Sequence, residues 1–275
     1  MKKILLAFDG PHFSDAAFEF TRMMNETQPI LVTGIFLPQT NYANLWSYSG
    51  GGISGPVYIP LVENDDAELI EKNIIRFKSL CHNNNIDYRV HDDFTDFALP
   101  ELKKETEFAD LLIVGSGSFY ENIGTGEPNE YLEDALHGVE CPVIVVPEKF
   151  DFPKNNILAY DGSKSAVYAI KQFAYLFPEL TKNRTLLVYA NEEADGKIPD
   201  EAFIEELAAR HFPDLTVMKL AINPRKHFAA WLSEKEASIL VSGSFGRSMI
   251  SRLIRKSFIT NVIKEHKLPV FITHR

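Results

Sequence analysis

Ile4-Leu-Leu-Ala-Phe-Asp-Gly10 returns late in the chain as Ile157-Leu-Ala-Tyr-Asp-Gly162. Each is a short apolar run that stops at an aspartate followed by glycine. Two more stretches recur in the same order. Ala109-Asp-Leu-Leu-Ile-Val-Gly-Ser116 reappears as Ala237-Ser-Ile-Leu-Val-Ser-Gly-Ser244, and Cys141-Pro-Val-Ile-Val-Val146 as Leu268-Pro-Val-Phe-Ile-Thr273. Three matches in one order argue for duplication of a single domain, more strongly than any one match could. The run Glu148–Asn155, polar and interrupted by Pro153, reads as the linker. The chain therefore divides into 1–148, a linker at 149–155, and 156–275.

Within each half, short apolar runs alternate with longer amphipathic segments. In the second half the pattern predicts strands over Asn156–Asp161, Arg184–Ala190, Leu215–Ile222, Ala237–Ser242 and Pro269–Thr273. Between them it predicts helices over Ser163–Phe177, Asp200–His211, Arg225–Lys235 and within Ser248–Lys267, with Ser163 and Asp200 as N-caps. Runs such as Ser238-Ile-Leu-Val241 are apolar throughout, as strands are when helices cover both sheet faces. The expected fold is α/β: two tandem doubly wound, Rossmann-like domains, each a five-stranded mostly parallel sheet flanked by helices. The two halves should pair as a pseudo-twofold partly through their fifth strands, since pairing two related edges removes exposed ones.

At 275 residues, 45% hydrophobic and 24% charged, the chain can bury two modest cores. Cys81 and Cys141 are too few for a disulfide framework and suit a reducing compartment. The opening apolar run stops at Asp9, too short for a signal core or a membrane span, so a cytoplasmic protein without membrane association is expected. The pI near 5.3 argues against extended contact with nucleic acid. Charge is uneven. Residues 1–150 hold 10 Lys/Arg and 24 Asp/Glu (10 − 24 = −14), and residues 151–275 hold 18 and 14 (18 − 14 = +4). A small anionic ligand thus fits the second half better than the first.

In open parallel sheets, ligands collect at the carboxyl ends of the strands, where the winding reverses direction. Asp9 and Asp161 end the first strands and Gly115 and Gly243 the fourth, so Val241-Ser-Gly-Ser-Phe-Gly-Arg-Ser248 belongs at that crevice. The order of these features resembles the universal stress protein family in its tandem form, over both halves apart from Gln39–Glu63. The family's nucleotide-binding branch carries Gly, two residues, Gly, nine residues, then Gly followed by Ser or Thr. Gly243, Gly246 and Ser257 match, and Lys256 stands where the third glycine would be.

The resemblance implies that Asp161 contacts adenine or ribose, while Ser257 and the amides of Gly243, Ser244 and Gly246 hold phosphate. Glycines admit phosphate close to backbone N–H groups, and a helix start aims its dipole at the same anion. Lys256 could reach back to phosphate, and Arg247, Arg252 and Arg255 add positive charge. The ligand implied is ATP or AMP, with or without Mg. The first half keeps Gly115 but has Ser118 for Gly246 and Pro128-Asn129 at the closing pair. Glu121, Glu127 and Glu130 add repulsion there, so that half is read as a degenerate universal-stress-protein-like domain without nucleotide, and Asp9 as a remnant that caps the next turn.

The implied function is a stress-response or signalling protein that binds an adenine nucleotide with little or no turnover, at most slow ATP hydrolysis. The alternative is an interaction module of the same fold that works through protein partners and binds no nucleotide. Fold alone does not choose between these. No Ser-His-Asp order, working carboxylate pair or Walker sequence is present. His91, Asp92, Asp93 and Asp96 match no closed metal site and read as a solvated acidic loop. Cys141 reads as a small core residue and Cys81 as a helix residue without an activating base. The insert Gln39–Glu63, with Trp46, Tyr48 and Tyr58, is expected to contact the other half or a second chain. The pseudo-dimer is intramolecular, with a homodimer left open.

Overall fold

The computed structural model describes residues 1–9, 12–37, 64–91, 98–116, 139–193, 196–243 and 268–273. The insert Gln39–Glu63 lies outside them. The first half supplies strands β1 (Lys2–Asp9), β2 (Ile30–Leu37), β3 (Asp87–His91), β4 (Leu111–Gly115) and β5 (Val143–Val146). The second supplies β6 (Asn155–Tyr160), β7 (Arg184–Asn191), β8 (Leu215–Ala221), β9 (Ser238–Gly243) and β10 (Val270–Thr273). Helices α1 (Asp15–Thr27), α2 (Asn64–Asn83) and α3 (Ala98–Glu107) belong to the first half; α4 (Lys164–Leu176), α5 (Glu201–His211) and α6 (Pro224–Ser233) belong to the second.

The two expected sheets are one. Ten strands run in the order β3-β2-β1-β4-β5-β10-β9-β6-β7-β8. Every pairing is parallel except the seam, where β10 meets β5 antiparallel: Val270 opposite Val145, Phe271 opposite Ile144, Ile272 opposite Val143. Ile144 and Phe271 are counterparts in the duplicated sequence, and the flanking pairs exchange under the same correspondence. A pseudo-twofold axis therefore passes through the Ile144–Phe271 pair. The related edges cover each other, as the repeat predicted.

Alternation along each strand loads both faces. Ile4, Leu6, Phe8, Leu158 and Tyr160 point into one core with α1, α2, α4 and α5. Leu5, Ala7, Ile157 and Ala159 point into the other with Leu102 of α3 and Phe228 and Leu232 of α6. Both cores cross the seam. Phe271 of β10 lies 5.4 Å from Phe173 and 5.8 Å from Phe177, ring to ring.

The linker is not merely polar. Phe150 and Phe152 pack on Phe20 of α1 at 5.8 and 5.4 Å, and the N–H groups of Lys154 and Asn155 donate to the carbonyl of Ala237. The segment is docked because its two aromatic side chains bury against a helix that the charged residues around them concealed. Asp200 also departs from expectation. It occupies the N-cap position of α5 but sits in the left-handed region (φ 49°, ψ 36°) and makes no side-chain capping bond. A cap needs an extended backbone to aim its side chain at the helix amides, and Asp200 lacks it.

Candidate functional site

The crevice arises from the pairing register. β6 and β9 are partners only as far as Leu158 and Val241. Beyond that point β6 stays with β7 (Ala159 opposite Val188, Tyr160 opposite Tyr189) and β9 stays with β10 (Ser242 opposite Ile272, Gly243 opposite Thr273). The strands part, leaving a gap at their carboxyl ends. The first half repeats this after Ala7 and Val114, one residue further along its strands.

The turn from β6 into α4 borders the gap. Asp161 accepts a hydrogen bond from the Ser163 N–H at 2.9 Å, closing a tight turn. Gly162 has φ +81°, a conformation that suits glycine, and a Cβ there would lie 2.8 Å from the Pro199 ring. Ser163 caps α4 by accepting from the Ala166 N–H at 3.1 Å, and its hydroxyl pairs with that of Ser165 at 3.0 Å. The remaining amides of the first turn and the helix dipole make this end electropositive.

Gly243 closes the other side. A Cβ on it would sit 2.4 Å from the Ser165 carbonyl carbon and 2.5 Å from the Ala166 nitrogen. Its glycine is thus explained by backbone packing of β9 on the first turn of α4, which brings that turn, Asp161 and the end of β9 together. Gly115 packs in the same way on Ser14, the cap of α1.

Behind the turn, the buried Tyr160 donates its hydroxyl to the Pro199 carbonyl at 2.9 Å. Burial raises its pKa, and the carboxylates of Asp200 and Asp161 raise it further, so it stays a donor. Beside it, Asn191 donates to the Tyr189 hydroxyl at 3.1 Å. Sequence reasoning did not select Ser163 and Ser165 as a hydroxyl pair, or Tyr160 as an anchor. The one signal was that Tyr160 precedes Asp161 where Phe8 precedes Asp9.

Of the residues expected to form the site, Asp161 and Gly243 are brought to the gap. Ser244, Gly246, Arg247, Lys256 and Ser257 lie outside the described residues, as do Ser118, the Pro128-Asn129 pair and the side chain of Asp9. The cap of α1 is Ser14, which accepts from the Ala17 N–H at 3.2 Å. Among the described residues no group of three His, Cys, Asp or Glu could hold a metal ion, and no helix is long and apolar enough to cross a membrane. Both cysteines are free and buried, and burial pushes each thiol up to about 12, which keeps them unreactive. His91 lies against Glu105 of α3, not in a ligand cluster.

No family model matches the sequence, and no curated protein matches it. Solved structures do. A universal stress protein from Archaeoglobus fulgidus aligns over 100% of this chain and 96% of its own, with TM-score 0.71 and 18% identity. A putative universal stress protein from Pseudomonas aeruginosa aligns over 100% of this chain and 93% of its own, with TM-score 0.51 and 11% identity. A shorter universal stress protein from Archaeoglobus fulgidus, solved in complex with dAMP, overlaps 53% of this chain with 97% of its own at TM-score 0.33 and 16% identity. At these identities the full-length likeness shows the fold. The chain has the two-half, doubly wound architecture found in universal stress proteins.

Proposed function

We propose that this protein is a cytoplasmic stress-response or signalling protein that binds one adenine nucleotide, ATP or AMP, in its second half, with little or no turnover. The observation that carries the reading is the parting of β6 and β9 after Leu158 and Val241, where Asp161, the N-terminus of α4 and Gly243 meet. Asp161 would select the base or sugar. The segment that follows Gly243, with Ser244, Gly246, Arg247, Lys256 and Ser257, would hold phosphate, with Mg as its companion if ATP is the ligand. The surplus of positive charge in the second half favours the same assignment.

Calorimetric titration with ATP tests it. One equivalent per chain is expected, and affinity should fall with added salt because exposed basic groups are screened. Gly246→Glu places a carboxylate where phosphate belongs and should abolish binding; Ser118→Glu should leave it unchanged. Two equivalents per chain, or binding that survives Gly246→Glu, would refute the placement. No binding by the unaltered protein would turn the case to the interaction-module reading.

A further inference from the structure

The sheet closes its inner edges against each other at the seam and leaves β3 and β8 as its outer edges. An outer strand presents backbone N–H and C=O groups that its own sheet does not pair, and such an edge is either protected by charge or taken up by a partner. The two edges differ in what they carry. β8 holds one charged residue, Lys219, which interacts within the chain. β3 reads Asp87-Tyr-Arg-Val-His91, and its first three residues are exposed. No hydrogen bond or ion pair joins the side chain of Asp87 or Arg89 to a described residue. Alternation sorts the strand onto two faces. Tyr88 faces α2, its ring edge to face with Phe77 at 5.8 Å, and Val90 packs on the same core. Asp87, Arg89 and His91 take the opposite face, where His91 meets Glu105 of α3.

Asp-Tyr-Arg is complementary to its own inverted copy. Two β3 strands set antiparallel about a twofold axis normal to the sheet, and centred on Tyr88, bring Asp87 opposite the partner's Arg89 and Arg89 opposite the partner's Asp87. Tyr88 then faces the partner's Tyr88, and Val90 the partner's Ile86. Moving the centre to Asp87 or to Arg89 sets like charges directly opposite each other, which opposes pairing. One register is therefore selected. β8 has no anionic residue and offers no such match. Exposed apolar surface gathers at the same edge. Among the described residues of the first half, the large exposed hydrophobics are Leu69 and Ile75 of α2, Tyr88 of β3, and Met1 and Phe108 elsewhere. Helix α2 lies over β2 and β3, the outermost strands, so the same axis sets the α2 helices of two copies side by side. A short ladder alone falls below the roughly 1,200 Å² that specific interfaces bury; the paired helices extend it.

We propose that β3 is a self-recognition edge, through which two copies of this chain join antiparallel into one continuous sheet, with reciprocal Asp87–Arg89 pairs setting the register. The charges act in both directions. Their order admits a second copy and disfavours edges that lack it, so the strand stays open to one partner and protected from others. The inference does not rest on the nucleotide assignment, since the crevice and this edge share no residue.

Sedimentation equilibrium of the full chain tests it. The unaltered protein should dimerise as concentration rises, and added salt should loosen the dimer by screening the surface pairs. Asp87→Arg and Arg89→Asp each set like charges opposite each other, and each variant alone should be monomeric. Mixed in equal amounts, the two variants regain unlike pairs on both sides and should sediment as a heterodimer. A monomeric unaltered chain, a single variant that still dimerises, or a mixture that stays monomeric overturns the proposal. Where a variant does not melt cooperatively, Tyr88→Cys supplies the answer. Cys81 and Cys141 are buried, so oxidised glutathione should link two chains through position 88, and chains that stay single refute the pairing.

Discussion

Gly243 has no room for a methyl group. The added carbon would press on the backbone of Ser165 and Ala166, which cannot swing away, so Gly243→Ala should cost about 1–3 kcal/mol by overpacking. Gly115→Ala meets the Ser14 side chain instead. Rotation of that side chain would clear the hydroxyl at the expense of its cap, about 1 kcal/mol, but Ser14 Cβ, 2.6 Å away, moves only with the backbone of the helix start. Denaturant midpoints should therefore fall for both Gly243→Ala and Gly115→Ala, and an unchanged midpoint for either would refute the packing account. The thiols give a pH prediction. Burial raises Cys81 and Cys141 from 9.0 to about 12, so the folded state keeps protons that the unfolded chain loses. Stability is complete below pH 9 and declines as pH rises from there toward about 12, by about 1.4 kcal/mol per pH unit for each thiol. Unfolding titrations between pH 7 and 10.5 should show the decline, and Cys81→Ala should make it shallower; an equal slope would exclude the thiol as its cause.

The helices differ in how their first turns are finished. Ser14 and Ser163 have extended backbones and accept from the third residue of their helices. Their alanine variants should each lose about 1 kcal/mol in chemical unfolding. Asp200 stands at the same position of α5 but is left-handed and uncapping. Asp200→Gly relieves an unfavourable backbone conformation and removes no cap, so it should not destabilise the protein. A loss near that of Ser163→Ala would mean that Asp200 caps in solution. The strand ends carry the other element-level difference: three added residues before α1 bring in Phe13, and their lack before α4 leaves its N-terminus further forward along the crevice.

Across the whole molecule, the seam makes one structure of two repeats. Among the described residues it joins three residue pairs, yet both cores run through it. Phe271, fully buried between Phe173 and Phe177, is its main packing element on one face. Lys2 reinforces the seam from the amino ends of the strands, donating to Gln28 Oε1 at 2.8 Å and to the Leu176 carbonyl at the end of α4. A cation at a helix C-terminus is favourably placed. The two halves should thus unfold in one calorimetric transition with matching calorimetric and van't Hoff enthalpies. Phe271→Ala should lower stability by about 3–5 kcal/mol without separating the halves. Two resolved transitions in the unaltered protein would show that the seam does not couple them.

The sequence by itself determined the repeat, the alternation of strands and helices, the apolar strands covered on both faces, the serine cap of α4 and the pairing of fifth strands. These are written in local periodicity and in recurrence along the chain, where each residue's signal needs only its neighbours. Of the candidate site it singled out Asp161 and Gly243 but not how they meet. Tertiary structure alone decided that β6 and β9 part after Leu158, that Gly243 is glycine because α4's backbone lies against it, that the linker's phenylalanines dock on Phe20, and that Phe13 stacks on Phe8. Each of these joins residues far apart in sequence, and each depends on the exact length of a turn, to which hydrophobic periodicity is blind.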